Sequence, residues 1–302
     1  MLSILIPVYN YNAYPLVKEL HSQCLEAKID FEILCQDDFS TEYLQENQEI
    51  NTLKNCRFSR NKTNLGRGKN INTIANQATK EYLIIVDCDT FPKNSEYIRN
   101  YVQHIEEGKA GVLYGGIIYE SVRPDKENLL RWIYGIKREA LSLDLRNKKP
   151  NSSALTSNLL IKKEIFTEYP FDITITNYGY EDLCFLMVLE SCRFTINHCD
   201  NPTFHLNLET SELFLKKTKI ALENLAFIFE SKKHIHIQSK IVSAYILLNK
   251  MGLIRLAAGS FKKTETLLKN NLLSTKPSLF AFDLFKLGYF CYLQNQKSIA
   301  GH

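Results

Sequence analysis

The sequence predicts an α/β fold, a mixed and mostly parallel sheet flanked by helices, with a C-terminal all-helical extension. Three features carry this expectation. Apolar runs of strand length alternate with segments of helical spacing from Leu2 to Glu168, the pattern of βαβ units. Three of those runs end in polar side chains: Tyr9 and Asn10, Asp37 and Asp38, Asp87 and Asp89. Beyond Glu209 no run of strand type remains.

Taken in order, LSILIPV (2–8) is a strand and residues 15–28 have helical spacing. Phe31–Cys35 is a second strand, ending at the Asp37–Asp38 pair. Residues 41–50 are helical, Cys56–Ser59 is a short strand, and 69–79 is a helix leading into YLIIVDCDTF (82–91). The run Tyr82–Val86, bounded by polar residues, suits a strand covered on both faces. After residue 120 the alternation breaks: the segment 120–153 has a helical middle and many Lys and Arg, and is expected to form an excursion over the site. TSNLLIKKEIFTE (156–168) returns to a strand followed by a helix. NYGYEDLCFLMVLESC (177–192) opens a helix with Glu181 and Asp182 in its first turn, where carboxylates suit the helix dipole. The tail divides into four helical stretches, roughly 210–232, 237–250, 253–271 and 278–294, without a sequence repeat.

In a parallel sheet the strand ends share one edge, so the three polar ends converge on a crevice where open α/β sheets bind ligands. Asp87 and Asp89 are the sharpest pair. Side chains alternate along an extended chain, so the two are expected to share a direction. Carboxylates side by side repel unless a cation, a donor group or a proton lies between them. Turn capping is the ordinary alternative for either residue alone.

Bulk properties narrow the field. A chain of 302 residues, 45% hydrophobic and 23% charged, holds one large domain or a core domain with an appendage. A net charge of +4 is too small to indicate nucleic acid. The eight cysteines are scattered, with no C-x-x-C pair, and read as reduced thiols of an intracellular protein. The chain passes from Met1 into a strand broken by Pro7, unlike a signal peptide. It has no uninterrupted apolar span of about twenty residues. The expectation is a cytoplasmic protein, soluble or peripheral at the inner face of the membrane.

The segments SILIPVYN, QDDFST, NLGRGKNIN, IIVDCDTF, TSNLLIKKEIF, YGYEDLCF and TFHL resemble, in order and spacing, the motifs of family 2 glycosyltransferases with the GT-A fold. YGYED followed by TFHL is most similar to the chondroitin-polymerase and galactosyl- and N-acetylgalactosaminyl-transferase branch, where the first motif is usually W-G-x-E-D. The resemblance covers about residues 1–207. It implies a GT-A catalytic domain there and a helical extension over 208–302. The activity it implies is an inverting transfer of a sugar from a nucleotide diphosphate to an acceptor hydroxyl. The branch points to UDP-galactose or UDP-N-acetylgalactosamine as donor. The acceptor would be a glycan or lipid-linked glycan, in polysaccharide or glycoconjugate synthesis.

The resemblance also implies roles. Asp89 is the direct ligand of Mn2+ or Mg2+, cations that take oxygen ligands and neutralise developing phosphate charge. His205 in TFHL matches a histidine ligand of the same ion, and Asp87 faces the ribose or a metal-bound water. Asp38, with Asp37 beside it, matches the carboxylate that pairs with the uracil ring. Pro7 and Tyr9 wall the base pocket, and Asn64 and Gly66 match the N-x-G of a loop near the nucleotide. Asp182 is the catalytic base, and Glu181 binds acceptor or sugar hydroxyls. The chain departs from the family at Ile71, where an arginine often stands; Arg67 and Lys69 are the candidates to supply that charge at the pyrophosphate. His198 matches nothing and is assigned to surface or packing.

Two other readings compete. One is a haloacid-dehalogenase-like phosphatase, whose D-x-D-G-T signature IIVDCDT imitates with Thr90 in place of the glycine. The other is a non-catalytic sugar-binding relic of the fold, against which the intact Asp89, Glu181, Asp182 and His205 stand. In the tail, SLFAFDLFKLGYFCYLQ (278–294) has only Asp283 and Lys286 charged, so it must bury most of its surface. Packing against neighbouring helices, or against a second subunit in a homo-oligomer, is the expectation. Peripheral membrane contact, with Lys262, Lys263, Lys269 and Lys276 preceding the helix, is the alternative.

Overall fold

The structure, a computed structural model, describes residues 1–109, 111–231 and 239–300. Residues 232, 237 and 238 of the expected tail helices lie outside the described residues. In chain order the elements begin with β1 (Leu2–Val8), α1 (Tyr14–Glu26), β2 (Phe31–Asp37), α2 (Leu44–Gln48), β3 (Cys56–Arg60), α3 (Arg67–Gln77), β4 (Tyr82–Val86) and β5 (Thr90–Pro92). Next come α4 (Tyr97–Glu106), β6 (Val112–Tyr114), β7 (Ile117–Ile118), α5 (Leu129–Tyr134), α6 (Leu143–Asn147), α7 (Pro150–Ser153), β8 (Asn158–Lys162) and α8 (Lys163–Glu168). The chain closes with α9 (Glu181–Ser191), β9 (Asn197–His198), β10 (Thr203–His205), α10 (Ser211–Ser231), α11 (Lys240–Lys250), α12 (Ile254–Leu272) and α13 (Leu279–Ala300).

These elements fall into two compact units. The first comprises Met1–Glu120, Arg138–Thr176 and Glu181–Asn207; the second comprises Ser121–Lys137, Asn177–Tyr180 and Leu208–His302. The segment 120–153 is therefore divided between them, and it is broken into short helical pieces rather than one helix. The expected helix over 41–50 is also shorter than its spacing suggests, α2 passing into a 3-10 turn at Glu49–Thr52.

The first unit is built on a seven-stranded sheet of order β3-β2-β1-β4-β8-β6-β9, with β5, β10 and β7 forming a separate three-stranded sheet. Strands β3, β2, β1 and β4 are parallel, β8 runs against both β4 and β6, and β9 is parallel to β6. The central strands read as unbroken apolar runs because both faces are covered. Ile4, Ile6, Ile84 and Val86 pack with Leu16, Leu20, Tyr97 and Tyr101 on one face. Leu5, Leu83 and Ile85 pack with Ile71, Ile74, Phe166, Phe185 and Leu189 on the other. The alternation follows from the two-residue period of the strand.

Asn158, fully buried at the start of β8, binds this unit together. Its amide nitrogen donates to the Gly116 carbonyl at 2.8 Å and the Asn201 carbonyl at 2.9 Å. Its oxygen accepts from the Tyr97 hydroxyl at 2.7 Å and the Tyr101 hydroxyl at 2.6 Å. Neighbouring Gly115 is required by space: a Cβ there would lie 2.4 Å from the Asn201 carbonyl oxygen and 2.5 Å from the Tyr101 hydroxyl. Replacing Asn158 with Leu keeps the bulk but strands the Tyr97 hydroxyl and the Asn201 carbonyl, and leaves the Tyr101 hydroxyl and the Gly116 carbonyl one longer bond each, at 3.2 and 3.3 Å. The expected cost is about 3–5 kcal/mol, since each buried unsatisfied group costs about 1–3 kcal/mol. It would be read from the urea midpoint at an unchanged slope, and a loss under about 1 kcal/mol would show that this hub is dispensable.

The second unit is helical among its described residues. Phe282 lies between Tyr134 and Phe214, with ring centroids 5.5 and 5.4 Å away. Phe261 of α12 meets Phe285 of α13 at 5.6 Å. Gly288 permits that close approach, because a Cβ there would lie 2.7 Å from the Phe261 ring. Phe282, Phe285, Phe290 and Cys291 are buried, so α13 spends its apolar surface on its helical neighbours, as its composition requires. Lys219 of α10 pairs with Glu265 of α12 at 2.6 Å. The buried Asn224 side chain donates to the Asn177 and Gly179 carbonyls at 3.1 and 2.5 Å.

Candidate active site

The carboxyl ends of β1, β2 and β4 lie at one edge of the large sheet, with Val8 opposite Asp37 and Leu5 opposite Ile85. Because β8 is antiparallel, it begins at that same edge, Asn158 standing opposite Val86. The two residues before it, Thr156 and Ser157, are thus delivered to the end of β4, and the Asp87 amide donates to the Ser157 carbonyl at 3.2 Å.

Asp87 and Asp89 do not share a direction as expected. The strand stops at Val86 and the pair sits in a turn, closed by the Thr90 amide donating to the Asp87 carbonyl at 3.1 Å. The alternation that governs an extended chain no longer applies there, and the two carboxylates take different partners. Asp87 accepts from Arg67 Nη2 at 2.6 Å and from Arg67 Nε at 3.1 Å. The same guanidinium donates through Nη1 to Asp182 at 2.5 Å and to the Thr156 hydroxyl at 2.9 Å. One arginine at the first position of α3 thus joins the end of β4, the start of β8 and the first turn of α9.

Burial pushes the Asp182 carboxyl above the ordinary carboxylate value; Arg67 opposes this, and the charge of Asp87 adds to it. Arg67 in turn is held firmly protonated by Asp182, Asp87 and Glu181 despite its burial. More carboxylates than cations share this corner, which keeps the Asp182 carboxyl high. The chain enters α9 through Gly179 and Tyr180, both at positive φ, 94° and 66°. For a tyrosine this is a strained conformation worth about 1–3 kcal/mol, of the kind that gathers at functional sites.

Asp89 meets His205 instead. Strand β10 pairs antiparallel with β5, placing His205 opposite Thr90, and the Leu206 amide donates to the Asp89 carbonyl at 2.9 Å. His205 Nε2 stands 3.7 Å from Asp89 Oδ2. The Tyr119 ring stacks on the imidazole at 5.2 Å, and its hydroxyl donates to Glu139. Among the described residues no group of three or more His, Cys, Asp or Glu is arranged to hold a metal ion. The Asp89–His205 pair fits a cation that takes few protein ligands and completes its shell with substrate phosphates and water.

On the nucleotide side, Pro7 is buried within β1 and Tyr9 is 55% exposed. Asp37 is buried and accepts from the Ser40 amide and from Arg60 Nε. Asp38 accepts from the Leu65 amide (2.8 Å), the Gly66 amide (2.9 Å) and the Asn61 side chain (2.9 Å). Those bonds leave one of about four acceptor positions of the carboxylate. Asn64 caps the same turn by accepting from the Gly66 amide at 3.1 Å. Gly66 has φ +82°, and a Cβ would meet the Thr176 carbonyl at 3.1 Å, so glycine is required. Ile71 is buried in the core. Arg67 lies one helical turn earlier on the same face, at the end of α3 that reaches the strand edge. Lys69 is half-buried, and its ammonium has no ion pair among the described residues.

Sequence reasoning missed Thr156, Tyr119, Glu139 and Tyr11. The Tyr11 hydroxyl is pushed up by burial and then by the nearby Asp89 charge. For Thr156 a signal existed: T-S-N is a polar triplet immediately before an apolar strand. His198 packs as assigned, between Arg146 Nη1 at 3.2 Å and the Pro150 carbonyl at 2.9 Å. Arginine only donates, so Nδ1 accepts and Nε2 bears the proton.

The strand ends of this α/β unit gather acidic residues around the first turn of α3, at the edge where such sheets bind ligands, and its family match makes it a glycosyltransferase of the GT-A type. The family described as Glycosyl transferase family 2 matches residues 3–169, and the chain belongs to it. This membership displaces the phosphatase reading. No curated protein sequence matches the chain. Similar solved structures include the mannosyltransferase PcManGT from Pyrobaculum calidifontis in complex with GDP-Man and Mn2+. The two share 14% identity with a TM-score of 0.57, over 97% of this chain and 86% of that one. S. aureus TarS 1–349 in complex with UDP is 17% identical with a TM-score of 0.47, over 98% and 91% of the two chains. Against the S. aureus TarS structure matched at 19% identity and a TM-score of 0.47, 76% of this chain is covered and it spans 44% of that chain. No described helix is long and apolar enough to cross a membrane.

Proposed function

We propose that the chain is an inverting, metal-dependent transferase that moves galactose or N-acetylgalactosamine from a UDP-sugar to a hydroxyl of a glycan or lipid-linked glycan. Its place would be the synthesis of a polysaccharide or glycoconjugate, with residues 1–207 as catalytic domain and 208–302 as helical extension. The observation that carries this reading is the single guanidinium of Arg67 joining Asp87, after β4, to Asp182, in the first turn of α9. That bridge supports a donor side and an acceptor side meeting at one point.

Asp182 is the base. Arg67 holds its Oδ1, leaving the other oxygen to accept the proton of the acceptor hydroxyl as that hydroxyl attacks the anomeric carbon. Its raised pKa makes it a better proton acceptor than a surface carboxylate. Glu181 orients acceptor or sugar hydroxyls. Asp38 offers its remaining acceptor position to the imide N–H of uracil, with Asp37, Pro7 and Tyr9 completing the base pocket and Asn64 and Gly66 shaping its loop. Asp87, fixed by Arg67, faces the ribose, and Lys69 supplies an uncommitted positive charge for the diphosphate. A divalent cation, Mn2+ or Mg2+, would be held by Asp89 and His205 and would neutralise the departing diphosphate.

The test is a screen of sugar nucleotides for hydrolysis and transfer in the presence of Mn2+ and Mg2+. PcManGT is solved with GDP-Man and Mn2+, so GDP-mannose belongs in the panel. Turnover of UDP-galactose or UDP-N-acetylgalactosamine is the expected result. A clear preference for a GDP-sugar would overturn both the uridine role of Asp38 and the choice of sugar. Binding without turnover of any donor would favour the non-catalytic relic.

A further inference from the structure

The segment from Lys240 to Thr264 carries five cations, Lys240, Lys250, Arg255, Lys262 and Lys263, and no carboxylate. It forms α11, a tight turn and the first half of α12. Such a charge imbalance is unusual beside the rest of the helical unit, where Lys219, Lys269, Lys286 and Lys297 are each paired with Glu or Asp. None of the five pairs with a carboxylate among the described residues.

The same tip exposes large apolar side chains. Leu247 and Met251 are each 60% exposed and Leu256 66%. Leu247 and Met251 are four apart at the end of α11, so they share a face, and Leu256 follows directly across the turn. That turn is open: Gly252 has φ +70°, and a Cβ added there would meet nothing within 4 Å. Lys250 and Arg255, both exposed, are interleaved with these apolar residues along the chain.

We propose that the α11–α12 tip is a docking surface for an anionic lipid bilayer. Apolar side chains projecting from a turn enter the headgroup region, while flanking cations meet negative headgroups. Charge complementarity selects this occupant over a second copy of the chain. A two-fold contact through the tip would set the unpaired cations of one copy against those of the other. The helix 278–294, for which packing was expected and lipid contact was the alternative, buries Phe282, Phe285 and Phe290 and exposes Phe280 and Leu284, without the run of unpaired cations that marks the α11–α12 tip. The inference goes beyond the transferase reading and does not depend on it.

Flotation of the full chain with phosphatidylcholine vesicles, with and without phosphatidylglycerol, tests it. The chain is expected to float with the anionic vesicles and to lose that partitioning as salt rises, since screening shortens the reach of the charges. Met251→Asp with Leu256→Asp, and separately Lys250→Glu with Arg255→Glu, should each reduce partitioning about tenfold or more. All four positions are exposed, so circular dichroism melting should be unchanged. Phe280→Asp, at an exposed apolar residue of α13, should float like the parent. Absence of flotation would overturn the proposal, as would flotation of both tip variants equal to that of the parent. Retention on an immobilised polyglutamate peptide without vesicle binding would also overturn it, in favour of an acidic protein partner. Donor hydrolysis by the tip variants should match the parent, so failure here leaves the transferase reading standing.

Discussion

Asp182→Asn is expected to reduce sugar transfer by about 10²–10⁴-fold, the usual contribution of a positioned general base, while UDP binding measured by calorimetry stays within error. Asparagine keeps an oxygen for Arg67 and Thr156 but cannot take the acceptor proton, so the network's shape survives while the proton transfer does not. The pH profile supplies a second reading. Because the Asp182 carboxyl is raised by burial and by Asp87 against the pull of Arg67, the active ionised form is lost as pH falls through that raised value. kcat/KM should therefore decline on the acid side at a higher pH than an ordinary carboxylate would give. Arg67→Gln removes the opposing cation, so its acid limb should move to still higher pH. Near-normal transfer by Asp182→Asn would remove this residue from the role and make Glu181 the next to test.

Asp89→Ala is expected to cost about 10²–10³-fold or more in donor turnover, the scale of losing a preorganised electrostatic stabiliser, and to weaken Mn2+ binding followed by electron paramagnetic resonance. The fold should be spared, because Asp89 ties the small sheet through its backbone carbonyl, which accepts from Leu206 and survives the substitution. His205→Ala should show the same direction with a smaller loss, since the carboxylate remains. Undiminished Mn2+ binding by Asp89→Ala would place the cation elsewhere.

The large sheet was legible because its central strands are buried on both faces and read as continuous apolar runs, while the polar strand ends marked the working edge. What escaped was anything set by direction or by distant pairing. An apolar run such as NLLIK states that a strand exists and says nothing of its polarity, so the reversal of β8, and with it the delivery of Thr156, could not be read. Strands β5, β7 and β10 span three, two and three residues, too few to show a period. The split between Asp87 and Asp89 depends on the turn that follows Val86, which ends the alternation from which a shared direction was expected. Arg67 was named for its charge, but its engagement with two carboxylates arises from residues 20 and 115 positions away, which local pattern does not encode.

The three-residue strand β10 has a consequence for the chain as it is made. Its partner β5 is synthesised more than a hundred residues earlier, and the register of Thr203, Phe204 and His205 with Pro92, Phe91 and Thr90 closes a very long loop. Such distant pairings form late, because the entropy of bringing remote segments together must be met before any contact rewards it. A nascent chain could thus complete the parallel strands of the nucleotide half while the histidine still lay ahead in the ribosomal tunnel. The last piece of the site to arrive is the one that stands beside Asp89, so vectorial synthesis itself keeps an unfinished chain from assembling that pair.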